Sequence, residues 1–271
     1  MKRLRWLRGG GALWVVLVVL VALWLPATGE VGAQARDAVF VMGTSQDGDT
    51  FLGRWQRRIY PELFRRLGMT VRFQVMPLQR LSVASEQGAV DGEVARIGSY
   101  ASQHPALVRV DEPVYDIVWA LFSIDPGLRL GSLAELATRP WRVTYQRGIA
   151  ICEKALKAVV PADRLLDVGT DAQGFNMLRV GRSDLHCTGD LTLPTLQSLP
   201  ELRGVDISHR VLEISVDPLY PLVHQRLAEL APRMAVALKQ MKAEGLIERY
   251  RAEALREMAA AAAAASAPAS R

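Results

Sequence analysis

From Asp37 onward the chain alternates strand-like and helix-like apolar patterns joined by turn residues, and that alternation restricts it to helices layered on a sheet. Asp37 to Met42 reads as a strand and leads into a polar turn, Gly43-Thr44-Ser45-Gln46-Asp47-Gly48-Asp49. Leu52, Trp55, Ile59, Leu63 and Leu67 then recur at helical spacing with arginines on the opposite side, and Gly68 closes the segment. Thr70 to Met76 alternates as a strand stopped by Pro77. Leu78 to Glu86 predicts a short helix ending at Gly88, and Val90 to Ala95 predicts the next strand. That is β-α-β-α-β within about sixty residues.

The middle of the chain repeats the scheme. Val114 to Ser123 is apolar and rich in β-branched and aromatic residues, as a buried strand requires. Ser132-Leu133-Ala134-Glu135 has the form of a capping box. Trp141 to Gln146 predicts a strand and Ile149 to Val159 a helix. Leu165 to Val168 follows as a strand, then a helix capped by Thr170 or Asp171 and running to Val180, then a short strand from Asp184 to Cys187. Val223, Leu227, Leu230, Met234, Leu238 and Met241 step by three or four and predict a helix with a fresh start at Pro232. Gly245 ends it, and Leu246 to Met258 predicts the last helix. The tail from Ala259 to Arg271, nearly all Ala with Ser and Pro, has no amphipathic stripe and is expected to be disordered.

Residues 1–35 read as an address. Lys2, Arg3, Arg5 and Arg8 precede an apolar run from Gly11 to Leu25, Pro26 breaks it, and Ala33-Gln34-Ala35 offers small residues where a signal peptidase cuts. The run falls short of the ~20 residues that a bilayer core needs, so a cleavable secretory signal is expected, a retained anchor being the alternative. The whole chain has 33 Lys and Arg against 28 Asp and Glu. The leader takes four basic residues and Glu30, leaving 29 against 27, a net charge of +2. With no dense basic cluster left, nucleic acid is not an expected partner. Export would place Cys152 and Cys187 in an oxidising compartment, where a disulfide between them and two buried thiols are both open.

The joints between elements carry Tyr60-Pro61-Glu62-Leu63, Arg65-Arg66-Leu67-Gly68, Pro77 followed by Arg80, Gly88-Ala89-Val90-Asp91-Gly92, and Pro105 to Val110 before Glu112-Pro113. Ser132 to Leu136, Gly148, Gly181-Arg182-Ser183-Asp184 and Met241-Lys242-Ala243-Glu244-Gly245 continue the series. In this order and spacing they resemble the family-3 extracellular solute-binding proteins, of the type II periplasmic binding fold, over nearly the whole chain after the leader. The resemblance implies a two-lobed α/β fold, each lobe a mixed sheet flanked by helices, joined by crossovers near Pro113 to Ser123 and Val205 to Pro218. Lobe 1 would be residues 36–113 with 208–258, and lobe 2 residues 119–207. It also implies a monomeric periplasmic protein without catalytic activity or cofactor, capturing an amino-acid-like or organic-acid solute for membrane transporter subunits. The alternative is a ligand-sensing or regulatory domain of the same fold that signals to a membrane partner.

Ligand in such a fold sits between the lobes, at strand ends and helix N-termini. Arg96, at the end of the strand begun at Val90, is the first candidate to fork onto an anion, and Arg80 the second. Thr44, Ser45 and Asp47 follow the first strand, Arg147, Gly148 and Ile149 the first strand of lobe 2, and Thr188 and Asp190 the Cys187 strand. Asp91 and Tyr100 complete the candidate set, while Trp119 reads as core. Amino-acid binders of the family place an arginine in a Thr-x-x-Arg context, where this chain has Ser102-Gln103-His104-Pro105. Asp91 and Glu93, two apart on one strand face, have glycosidase-like spacing, but Asp91 fits a structural turn better. His186 and Cys187 point to opposite faces of a strand and form no dyad. The four histidines lack metal-ligand spacing, so no metal site is expected.

Overall fold

In the computed structural model, which describes residues 39–266, the first alternation becomes one wing of a nine-stranded sheet. The secretory signal expected over 1–35 lies outside the described residues. Strands β1 (Val39–Thr44), β2 (Thr70–Val75) and β3 (Gly92–Ile97) run parallel in the order β2-β1-β3, linked by helices α1 (Phe51–Arg66) and α2 (Leu78–Glu86). Along β1, Phe40 meets Phe64 of α1 at 4.5 Å between ring centroids, whereas Gly43 lies against Leu81 of α2. Because successive residues of a strand face opposite ways, α1 and α2 cover opposite faces of the sheet.

A short strand β4 (Leu107–Arg109) and a long one, β5 (Tyr115–Phe122), lead to the second wing. There β6 (Val143–Gln146), β7 (Leu165–Val168) and β8 (Leu185–Gly189) are parallel in the order β8-β6-β7, with α3 (Ala150–Lys157) and α4 (Asp171–Arg179) between them. The capping box at Ser132 forms, at the start of a 3-10 turn. After a short helix, α5 (Leu193–Gln197), the chain returns along β9 (Arg210–His224). β5 and β9 pair antiparallel from Tyr115↔Leu219 to Phe122↔Arg210; β5 also pairs with β8, and β9 with β3 and β4. The two wings thus share one ladder.

Helices α6 (Leu230–Ala243) and α7 (Leu246–Ser266) fold back on α1. Arg58 pairs with Glu253 at 3.3 Å and with Glu257, and Arg66 bridges Glu62 at 2.7 Å and Glu244 at 2.5 Å. Hydrogen bonds from Arg65 and Arg66 lower the Glu62 pKa to about 2. The stability this carboxylate contributes is therefore present above the ordinary carboxylate range and lost as pH falls towards 2.

Three expectations need correction. The third strand begins at Gly92 rather than Val90, because the Asp91 carboxylate takes the Val41 amide at 2.6 Å before the ladder starts. Val223 belongs to β9 and the helix begins at Leu230; Pro218 and Pro221 disguise a strand whose carbonyls still pair, Pro221 accepting from the Val110 amide at 2.9 Å. The tail expected to be disordered from Ala259 is helical through Ser266, since alanine is the strongest intrinsic helix former and continues α7.

Cys152 of α3 and Cys187 of β8 are joined by a disulfide, Cα to Cα 5.8 Å, and both are fully buried. It ties a helix to the strand beneath it across a separation of 35 residues. In the chain-entropy account a closed loop of that size contributes about 4 kcal/mol. We expect the Cys152→Ser/Cys187→Ser double variant to lose about that much in urea unfolding at pH 7, without losing the fold's circular dichroism.

Candidate functional site

Arg96 stands near the C-terminal end of β3, opposite Tyr220 of β9 and past an irregularity in the pairing that follows Glu93. That irregularity brings Arg96 and Glu93, three residues apart, onto the α2 side. Arg96 Nε donates to Glu93, whose side chain is only 1 % exposed, and Nη2 donates to Ser82 Oγ at 3.2 Å. Glu93 also accepts from Ser85 Oγ. The guanidinium lies 4.4 Å from the Tyr100 ring centroid, and Tyr100 donates its hydroxyl to Ser82 at 2.8 Å. Tyr100 stacks on His104 at 3.9 Å, and His104 Nδ1 meets Glu86 at 3.0 Å. Burial pushes the Tyr100 phenol above its ordinary pKa, so it remains a donor at neutral pH.

Of the five N–H groups on Arg96, hydrogen bonds to described residues use two. The guanidinium is held flat by a carboxylate, a hydroxyl and an aromatic face, with three donors left. Its charge is already matched by a buried carboxylate, so an added anion meets a balanced pair rather than a bare cation.

The other candidates divide. Tyr100 joins the Arg96 cluster, whereas Arg80 is exposed on the first turn of α2. Thr44 is buried and spends its hydroxyl on Gln56 at 2.9 Å, and Gln56 donates to the Tyr115 hydroxyl at 2.9 Å. Burial drives Tyr115 up to about pKa 12. Ser45 and Asp47 are exposed in the turn that caps α1, where the Asp47 carbonyl accepts from Thr50. Asp91 is committed to Val41 and Arg226, a structural task, and so does not share a site with Glu93. Gly148 is exposed at φ +89°, and the neighbouring Arg147 pairs with Asp167 at 2.5 Å. Thr188 is buried against Thr192. Asp190 accepts the Val118 amide of β5 at 2.9 Å. His186 is buried between Thr144 at 2.9 Å and Asp171 at 3.0 Å, on the opposite side of β8 from the disulfide. Among the described residues no group of three or more His, Cys, Asp or Glu is placed to hold a metal ion.

Sequence reasoning missed Glu93 as the partner of Arg96, and it missed Ser82, which joins Arg96 to Tyr100. It also missed the closure between wings. The amide of Phe51, first residue of α1, donates to Thr195 Oγ1 of α5 at 3.0 Å. Below that contact Phe51, Trp55, Tyr115, Ile117 and Trp119 form one apolar cluster with residues of the second wing, and a Cβ on Gly189 would strike Ile117. The Trp119 indole N–H is buried there without a hydrogen-bond partner among the described residues.

No family model matches the chain. It is 31 % identical over 207 residues to an uncharacterized protein of Shewanella oneidensis, covering 76 % of this chain and 77 % of that one. Among solved structures it resembles a histidine kinase sensor domain with similarity to periplasmic binding proteins, at TM-score 0.62 and 20 % identity, over 80 % of this chain and 95 % of that domain. It also resembles the substrate-binding protein of an amino acid ABC transporter, at TM-score 0.56 and 18 % identity, over 79 % of this chain and 97 % of that protein.

Two tryptophans on the same side of the sheet separate the cost of an orphaned donor from that of a used one. Trp55 Nε1 donates to the Ile247 carbonyl at 2.9 Å, while Trp119 Nε1 has no partner. Trp55→Phe is expected to destabilise by about 2–3 kcal/mol. Trp119→Phe, which removes an unsatisfied N–H along with some packing, should stay within about 1 kcal/mol of the parent in thermal unfolding.

Proposed function

We propose, for a chain that belongs to one family with the Shewanella oneidensis protein and shares its fold with the substrate-binding protein of an amino acid ABC transporter, a role in binding a small polar solute outside the cytoplasm. The observation that carries this reading is Arg96, a rigidly held guanidinium with three donors to spare at a strand end. Arginine presents such donors as a planar fork that fits a carboxylate. The site is charge-balanced by Glu93 and lies near Glu86, which favours an amino-acid-like zwitterion over a polyanionic organic acid.

In this reading the solute is held between lobe 1, residues 36–113 with 208–258, and lobe 2, residues 119–207, and closure around it is recognised by membrane transporter subunits. The protein binds and releases without turnover. Among the described residues no helix is long and apolar enough to cross a membrane, and the Cys152–Cys187 disulfide suits an oxidising compartment such as the periplasm. A ligand-sensing role stands beside transport on the likeness to the histidine kinase sensor domain. The N-terminus of the exported protein separates the two, since cleavage after Ala35 favours a freely diffusing carrier and a retained leader favours a tethered sensor.

The test is calorimetric titration of the purified protein with amino acids and organic acids, repeated on Arg96→Lys. Lysine keeps the charge that Glu93 needs but loses the fork. Alanine would instead leave a buried carboxylate unpaired, at a cost of about 3–5 kcal/mol that would confuse binding with folding. We expect a zwitterionic ligand to bind the parent and to lose about 10- to 100-fold in Arg96→Lys at unchanged melting temperature. Equal binding by both proteins would sink the assignment.

A further inference from the structure

The first turn of α1 is capped partly from outside its own wing. Thr50 Oγ1 accepts from the Gly53 amide at 3.0 Å, and the Thr50 carbonyl accepts from the Arg54 amide at 2.9 Å. The Phe51 amide, one of the four that a helix start leaves without an internal partner, donates instead to Thr195 Oγ1 of α5 at 3.0 Å. The two residues stand 144 apart in sequence. Each end of the bond is rooted in its own wing. Thr195 is followed by Leu196, which is buried in the smaller cluster with Phe175 and Leu178 of α4, and the Thr195 carbonyl accepts from Ser198 Oγ at 2.6 Å. Phe51, 1 % exposed, stacks on Trp55 within α1 at 5.6 Å.

The contacts around this bond oppose one another. Phe51, Trp55, Ile117 and Trp119 hold the wings together by apolar burial, which sets no direction. The Trp119 indole N–H works against docking, because it is buried without a partner among the described residues and regains water when the wings part. Thr195 adds a contact of defined length and direction to the docked side. One such bond, set between apolar surfaces and beside an unpaired donor, selects a docked register without holding it permanently.

We propose that Thr195 is a latch: by completing the α1 cap from the second wing, its hydroxyl sets the equilibrium between docked and parted wings before any solute binds. The net gain typical of one hydrogen bond changes that equilibrium about fivefold. The fraction of parted molecules then scales the apparent affinity of any solute that enters between the wings. The latch itself needs no solute, so it stands or falls apart from the binding assigned to Arg96, which faces α2 through Ser82.

The experiment measures wing separation in the purified exported protein, without ligand, by double electron–electron resonance. Nitroxide labels are placed at Asp49→Cys, exposed just ahead of α1, and at Glu201→Cys, exposed on the second wing. The native cysteines are both buried in their disulfide, so labelling without reductant leaves them untouched. We expect a dominant short distance and a minor long one in the parent. Thr195→Val, which keeps the shape and removes the hydroxyl, should raise the long-to-short ratio about fivefold, and Thr195→Ser, which keeps the hydroxyl, should give the parent ratio. Thr195→Ala serves as a second hydroxyl-free variant where valine packs poorly, and circular dichroism checks that each variant is folded. Two results would each overturn the proposal: a distance distribution in both hydroxyl-free variants identical to the parent's, or a serine variant that opens as far as the valine one.

Discussion

The antiparallel pairing of β5 with β9 is the contact on which the remaining architecture rests, because every other strand reaches its place through one member of that pair. Eight residues of β5, Tyr115 to Phe122, are matched to β9, and the parallel wings attach on either side through β3 and β8. The side chains of β5 alternate between two environments. Tyr115, Ile117, Trp119 and Leu121 enter the large cluster that also holds α1 and the disulfide, while Ala120 and Phe122 enter a smaller one with Phe175 and Leu178 of α4. A strand with both faces buried reads as a continuous apolar run, and that is the pattern from Val114 to Ser123.

This arrangement limits how the wings can separate. Parting them on the α1 face would expose Phe51, Trp55, Ile117 and Trp119, at roughly 25 cal/mol for each Å² of apolar surface returned to water. The Phe51–Thr195 hydrogen bond adds one directional contact at the rim of that interface. Any opening motion is therefore cheapest as a bend or twist of the β5–β9 ladder, where the register already shifts after Trp119 and after Leu121. A solute that favours the closed form has only to outweigh that deformation, since the apolar contacts are made already.

Much of the architecture was legible in the sequence because its punctuation is local. Pro77 and Gly88 bracket α2 at Leu78–Glu86, and Ser132 with Glu135 forms the capping box. What the sequence concealed depends on long-range pairing. β9 hides behind two prolines, and Val223 falls by coincidence in step with the helix that begins at Leu230. The site follows the same division. Arg96 was legible from its place at a strand end, but Glu93 was seen only as half of an acidic pair with Asp91. The pairing irregularity between Glu93 and Arg96 turns both onto one side, and no local rule announces it. Ser82, which ties Arg96 to Tyr100, sits on a helix whose approach to β3 is settled only by tertiary packing.

The parity of β1 gives the molecule two chemically distinct surfaces beside one hinge. On the α2 face, a buried carboxylate fixes a guanidinium and neutralises it, so what Arg96 offers there is the geometry of a fork more than net charge. On the α1 face, Trp55 stacks on Tyr115 and Asp190 spends one oxygen on the Val118 amide, so that surface is closed by packing rather than built around a charge. Both surfaces touch the β5–β9 ladder, Arg96 through its pairing with Tyr220 and Asp190 through the Val118 amide. A change at either surface that alters the ladder therefore reaches the other, and any such coupling is reciprocal.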